Sequence, residues 1–176
     1  MPLWIYHIST GATKFLEFSN QPTTTDNASW NNTAPTDSVF TLGSDNSVNG
    51  SGRTYVAYLF ASDAGGFGDD ETENIIKCGS FNGAANTEVD LGFEPQYIMF
   101  KNTTSTSNWQ IVDMMRGMPV GSDDRQLMAN LSNAESDNGL TTITATGFTW
   151  LPSASGNTYI YIAIRRPMKT PTAGTE

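Results

Sequence analysis

A single cysteine and a single histidine among 176 residues leave few routes to side-chain chemistry. Cys78 alone closes no intrachain disulfide and completes no four-ligand zinc site, so its thiol is expected to pack as a small hydrophobe. His7 alone, with no Gly-x-Ser-x-Gly elbow anywhere, gives no serine triad. Charge is scarce as well: Asp, Glu, Lys and Arg make up 15% of the chain, and 18 acids against 9 bases leave a net charge of −9. A nucleic-acid footprint needs clustered Lys and Arg to release counterions, so nucleic acid is not an expected partner. The Gly-rich "GGFGDD" is followed by acid that would repel a phosphate, which removes nucleotide binding. No run approaches the ~20 apolar residues that span a bilayer, and "MPLWIYHIST" lacks a basic segment followed by a long apolar one. The expectation is a soluble chain with no signal peptide and no membrane insertion.

Hydroxyls and amides are abundant instead. Ser, Thr and Asn account for roughly three residues in ten, and these side chains bond to nearby backbone in turns and compete with helix. Period-two apolar alternation supplies the second signal. In "TYIYIAIRR", Tyr159, Tyr161 and Ala163 fall on one face and Ile160, Ile162 and Ile164 on the other, as a strand buried on both sides requires. Six strand segments are predicted in the second half, starting at Lys77, Pro95, Trp109, Gln126, Thr141 and Thr158. Turn signals separate them, at Asn82-Gly83, 102–108, 121–124 and Ser155-Gly156, and the spacing suits a β-sandwich.

The first half repeats part of this pattern. "SGRTYVAYLFA" at 51–61 resembles "SGNTYIYIA" at 155–163, "FTL" at Phe40 resembles "FTW" at Phe148, "IYH" at Ile5 resembles "IVD" at Ile111, and "KFLEFSN" at Lys14 occupies the place of "RQLMANLSN" at Arg125. Four matches in one order indicate duplication. In both copies of the tyrosine-rich segment a glycine, Gly52 or Gly156, is placed to supply a positive φ before the strand. The fold class is therefore all-β, a jelly-roll-like β-sandwich in two tandem units, the first truncated. The expected organisation is a first β unit at 1–61, a Gly-rich acidic connector at 62–75, a second unit at 76–167 and a tail at 168–176, with the sheet stopped by Pro167. The first unit has no counterpart of the strands at Lys77 and Pro95. Its gap belongs to a longer array, to a strand from another subunit, or to the segment beginning at Asn74.

Two groups of residues are candidate sites. Asp63, Asp69, Asp70, Glu71 and Glu73 offer hard oxygens to calcium beside flexible glycines, although their spacing departs from the twelve-residue calcium loop and equally describes a solvated acidic connector. Trp30 in the polar stretch "NASWNNT", with Asn31 and Asn32, is a candidate glycan or receptor contact, while Trp4, Trp109, Trp150 and Tyr97 read as core. Asp113, Glu135 and Glu94 are available for paired-carboxylate hydrolysis, but nothing in the sequence pairs them. Apart from calcium no cofactor is expected, and no catalytic residue.

The runs "NGSGRTYVAYLFASDAGGFGDD", "NIIKCGSFNG", "VDLGFEPQYIMFKNT", "NWQIVDMMRG", "SNAES", "TATGF" and "SGNTYIYIAIRRPMKTPT" together resemble a repeated β-domain family of virion structural proteins of tailed phages, mainly marine phages. The resemblance implies a non-enzymatic virion component, tail-fibre-like or displayed on the particle surface and made in the bacterial host cytoplasm. Its implied partners are other virion subunits and a host-surface glycan, and analogy with fibres suggests a homotrimer. A carbohydrate-binding or carbohydrate-cleaving sandwich and a capsid decoration protein are the alternatives.

Overall fold

The computed structural model describes residues 3–68, 71–118 and 125–165. Among them the chain is an antiparallel β protein whose longest helix has four residues, α1 at Asn46–Asn49. Twelve strands form three sheets: β1 (Trp4–Ile5), β2 (Lys14–Glu17), β3 (Thr24–Thr25), β4 (Ile76–Asn82), β5 (Thr87–Asp90), β6 (Pro95–Asn102), β7 (Gln110–Asp113), β8 (Arg125–Met128), β9 (Ser136–Asp137), β10 (Thr141–Thr144), β11 (Gly147–Trp150) and β12 (Thr158–Arg165). No helix among the described residues is long and apolar enough to cross a membrane.

The largest sheet has six strands in the order β4-β12-β6-β7-β8-β9, and a three-stranded sheet β10-β11-β5 packs on one of its faces. Alternation decides which side chains enter that interface. Tyr159, Tyr161 and Ala163 of β12 join Ile98 and Phe100 of β6, Val112 of β7, Phe81 of β4, and Phe148 and Trp150 of β11. Phe81 lies at the centre of the aromatic cluster, within 5.2–6.3 Å of the rings of Phe100, Phe148, Trp150, Tyr159 and Tyr161. Edge-to-face and offset geometries of this kind add about 0.5–1.5 kcal/mol per pair beyond the area they bury. This is the sandwich expected from the strand spacing, with Tyr159, Tyr161 and Ala163 on the inner face of β12, paired on both sides.

The other face of the six-stranded sheet is covered by the first unit. β1, β2 and β3 form a meander, and β2 divides its residues by period two: Leu16 turns to Trp109 and Ile160 of the large sheet, while Phe15 turns to Trp30 and Val48 within the first unit. Polar contacts stitch the layers. Trp109 donates its indole N–H to the Glu17 carbonyl at 3.0 Å, Thr23 and Ser107 donate backbone N–H groups to Thr103 and Asn20, and His7 Nε2 meets the Tyr161 carbonyl at 3.1 Å.

The repeat is visible in register. Trp4 pairs with Glu17 and Ile5 with Leu16, as Gln110 pairs with Met128 and Ile111 with Leu127. Lys14 pairs with Thr25 and Phe15 with Thr24, as Arg125 pairs with Asp137 and Gln126 with Ser136. The meander β1-β2-β3 thus repeats β7-β8-β9 residue by residue. Beyond it the equivalence stops. Phe40 lies in no strand while Phe148 is in β11, and 53–61 lies in no sheet while β12 is an interior strand of the largest one. The expected strand at 54–61 is therefore corrected. Its entry turn does form, with Gly52 at φ +72° and Gly156 at φ +87°, but a strand exists only through its neighbours. β12 is held by β4 and β6, and β11 by β5; among the described residues no strand takes the place of these three beside 54–61. The segment from Asn74 does not fill that gap, because its strand, β4, is spent on β12.

Candidate functional site

The feature that the fold leaves unanswered is the segment 53–61. It runs without helix, turn or bend, and no backbone–backbone hydrogen bond joins 54–61 to another described residue. Val56, Tyr58 and Leu59 are 77%, 74% and 72% exposed and Phe60 is 57% exposed, whereas their counterparts Ile160 and Ala163 in β12 are buried. Isolated apolar side chains on a surface are ordinary; a contiguous row with strand patterning marks an interaction site. Both ends of the row are fixed. At one, the Tyr55 hydroxyl donates to the Asn46 carbonyl at 2.8 Å and accepts from the Gly50 N–H at 2.7 Å, and Arg53 Nη1 reaches Asn46 O. At the other, the Asp63 N–H donates to Ile76 O at 2.9 Å and the Cys78 N–H donates to Ser62 Oγ at 3.0 Å, both on the free edge of β4. An open apolar depression of about 170 Å³, lined by Ala61, Ala64, Phe67, Ile75 and Ile76, extends this surface into the connector.

The residues singled out from sequence fall elsewhere. Trp30 is corrected: it is 8% exposed, packed with Phe15 and Val48, and its indole N–H donates to Lys14 O. Buried in this way, its ring cannot stack on a glycan. Asn31 and Asn32 remain exposed at φ +49° and +50°, a left-handed turn that asparagine tolerates. In the connector, Asp69 and Asp70 lie outside the described residues. Asp63 and Glu71 are exposed, and Glu73 is engaged by Arg165 at 2.6 Å. Among the described residues no three carboxylate, imidazole or thiol groups converge as metal ligands would. Phe67 and Glu73 form a small antiparallel bridge, so the connector is folded back on itself.

Asp113 and Glu135 do come together, through a cation. Arg116 Nη1 pairs with Asp113, and its Nε with Glu135 at 2.6 Å. Asp113 also accepts the Arg116 backbone N–H, capping the short 3-10 turn Met114–Arg116. One guanidinium thus joins the two carboxylates and ties the 3-10 turn to the segment at Glu135.

Lys101 escaped the sequence reading. It is fully buried, with Nζ donating to the carbonyls of Ser19 and Ser107 and lying 5.9 Å from the Trp109 ring centroid. Burial lowers its pKa to about 8. The available signal was a lysine in the apolar strand "PQYIMFKN", on the Met99 face that the meander covers. Burial likewise pushes the Cys78 thiol up to about 11, with the Asp63 charge adding to it, so the thiol is unreactive near neutrality. Burial lowers the pKa of His7, whose Nδ1 accepts from the Ser9 N–H.

These features define a class, an antiparallel β-sandwich with one strand-patterned apolar segment outside its sheets. The chain belongs to the family described as Domain of unknown function (DUF7483), whose profile matches residues 1–167. No curated protein and no solved structure matches it.

Proposed function

We propose that this chain is a structural component of a phage virion, tail-fibre-like or displayed on the particle surface, that acts by assembling with other subunits and presenting loops to a host. The observation that carries the assembly half is the apolar row Val56–Phe60, uncovered on an otherwise hydroxyl-rich surface. The particle half draws on the resemblance described from the sequence. The loop at 31–40, exposed throughout and turned at Asn31 and Asn32, is the part offered outward and the place for a host-glycan contact. Hydroxyl and amide side chains in such a loop bond to sugar hydroxyls without a charged partner.

The test is location. Antibodies raised against the folded chain should decorate purified phage particles in electron micrographs, at the tail fibres or in a regular pattern on the head; the latter would make it a decoration protein. Particles that carry none of the chain, or a purified chain that turns over a polysaccharide, would overturn the reading.

A further inference from the structure

From the same segment we infer the partner: a second copy of this chain, paired antiparallel with the first through 54–61 about a two-fold axis at Tyr58. The inference rests on the assembly reading above and adds the occupant and the register.

Charge selects this register. Residues 54–62 carry no charge, and the nearest charged side chains on either side are Arg53 and Asp63, both exposed. They are equidistant from Tyr58. Antiparallel pairing centred there sets each Arg53 beside the partner's Asp63, and a shift of register loses both contacts. Size selects it too. Tyr55 falls opposite the partner's Ala61, Val56 opposite Phe60 and Ala57 opposite Leu59, so a large side chain meets a smaller one at each step on either side of the central Tyr58 pair. Opposed positions on one face are the packing unit of an antiparallel pair. Val56, Tyr58 and Phe60, the face now most open to water, would meet the same three residues of the second copy and cover one another. A two-fold contact made by the same patch on both subunits is self-complementary by construction. Anchors at Tyr55 and Asp63 already hold the segment between them, which lowers the entropy lost on pairing. Natural edges avoid such pairing with Lys, Pro or a bulge; this row has none of them.

Sedimentation velocity of the purified chain should show a dimer at tens of micromolar, and Tyr58→Lys should return it to monomer with an unchanged circular dichroism spectrum. Tyr58→Cys in a Cys78→Ser background should oxidise to a disulfide-linked dimer, since opposed Cα atoms at about 4.5–5.5 Å allow the bond. Arg53→Asp should weaken the dimer at least tenfold, and adding Asp63→Arg should restore it. A wild-type chain monomeric at 100 micromolar (about the upper end of association assays), a trimer, or an intrachain Phe60→Cys to Ser80→Cys crosslink, which would place the segment on its own β4, would each overturn the inference. A dimer that fails to label particles would leave this pairing standing and remove the virion reading instead.

Discussion

The indole N–H of Trp109 donates to the backbone carbonyl of Glu17, across 92 positions of sequence, at 3.0 Å. Through this contact the meander of the first unit is fastened to the outer face of the second unit's sheet, with Leu16 and Ile160 packed beside it. The two units therefore share a core and are not beads on a string. Trp109→Phe keeps most of the packing but strands the Glu17 carbonyl, and should cost about 1–3 kcal/mol in urea unfolding. Trp109→Ala should cost about 3–5 kcal/mol. Hydrogen exchange should localise the loss, with β1 to β3 opening before the aromatic core around Phe81.

Most strands of the second unit were readable because period-two alternation and turn residues agreed, but the single strand expected from Thr141 is a hairpin of β10 and β11. β6 begins and ends where Pro95 and Asn102 suggested, and β12 begins at Thr158. β5 and β9 were missed for a physical reason: "TEVD" and "SD" expose polar residues on one or both faces, so their formation depends on β11 and β8. The same dependence explains the opposite error at 54–61, where strong alternation forms no strand without neighbours. Trp30 misled because polar sequence surrounds it, while the residues that bury it, Phe15 and Val48, are distant in the chain. Lys101 was missed because its ligands are backbone carbonyls, which leave no trace in the sequence.

His7 provides a pH test of the contact between the units. Its Nδ1 accepts from Ser9 N–H, so the neutral ring carries its proton on Nε2 and donates it to the Tyr161 carbonyl. Burial lowers the folded pKa below the ordinary value of about 6.5. The unfolded chain then binds the extra proton first, so this contribution is complete above about pH 6.5 and is lost as pH falls through the lowered folded value. Urea unfolding should give less stability at pH 5 than at pH 7.5 (about 1.5 pH units below and 1 above the free imidazole). His7→Gln should flatten the part of that slope that comes from the imidazole.

Lys101 gives the complementary alkaline test. Its folded pKa of about 8 lies below the roughly 10.4 of a free lysine. Between those values the unfolded chain holds more protons, so stability should rise with pH above about 8 and fade as pH falls back through it. Cys78 opposes the rise from about pH 8.5, where the unfolded thiol ionises and the folded one, pushed up to about 11, does not, and Tyr161, pushed up to about 12, opposes it above about 10, so the test is made in a Cys78→Ser background. Measured from roughly pH 7.5 to 9.5, Lys101→Met should abolish the rise. It should also lower stability at neutral pH by about 1–3 kcal/mol, because the Ser19 and Ser107 carbonyls lose their donor.

Gly147 tests why the two units diverge. It opens β11 opposite Asp90 of β5, and a Cβ placed on it would lie 2.0 Å from the Val89 carbonyl oxygen, a backbone atom that cannot swing aside. Aligning Phe40 with Phe148 puts Val39 at the equivalent position in the first unit, where it is 61% exposed and in no strand. A valine there is compatible only with the absence of a β5-like neighbour. Gly147→Val should therefore cost at least the ~1–3 kcal/mol of an overpacked site and detach β5 from β11. Val39→Ala should stay within about 0.5 kcal/mol of wild type. A loss from Val39→Ala as large as that from Gly147→Val would mean instead that Val39 is packed against a neighbour in solution.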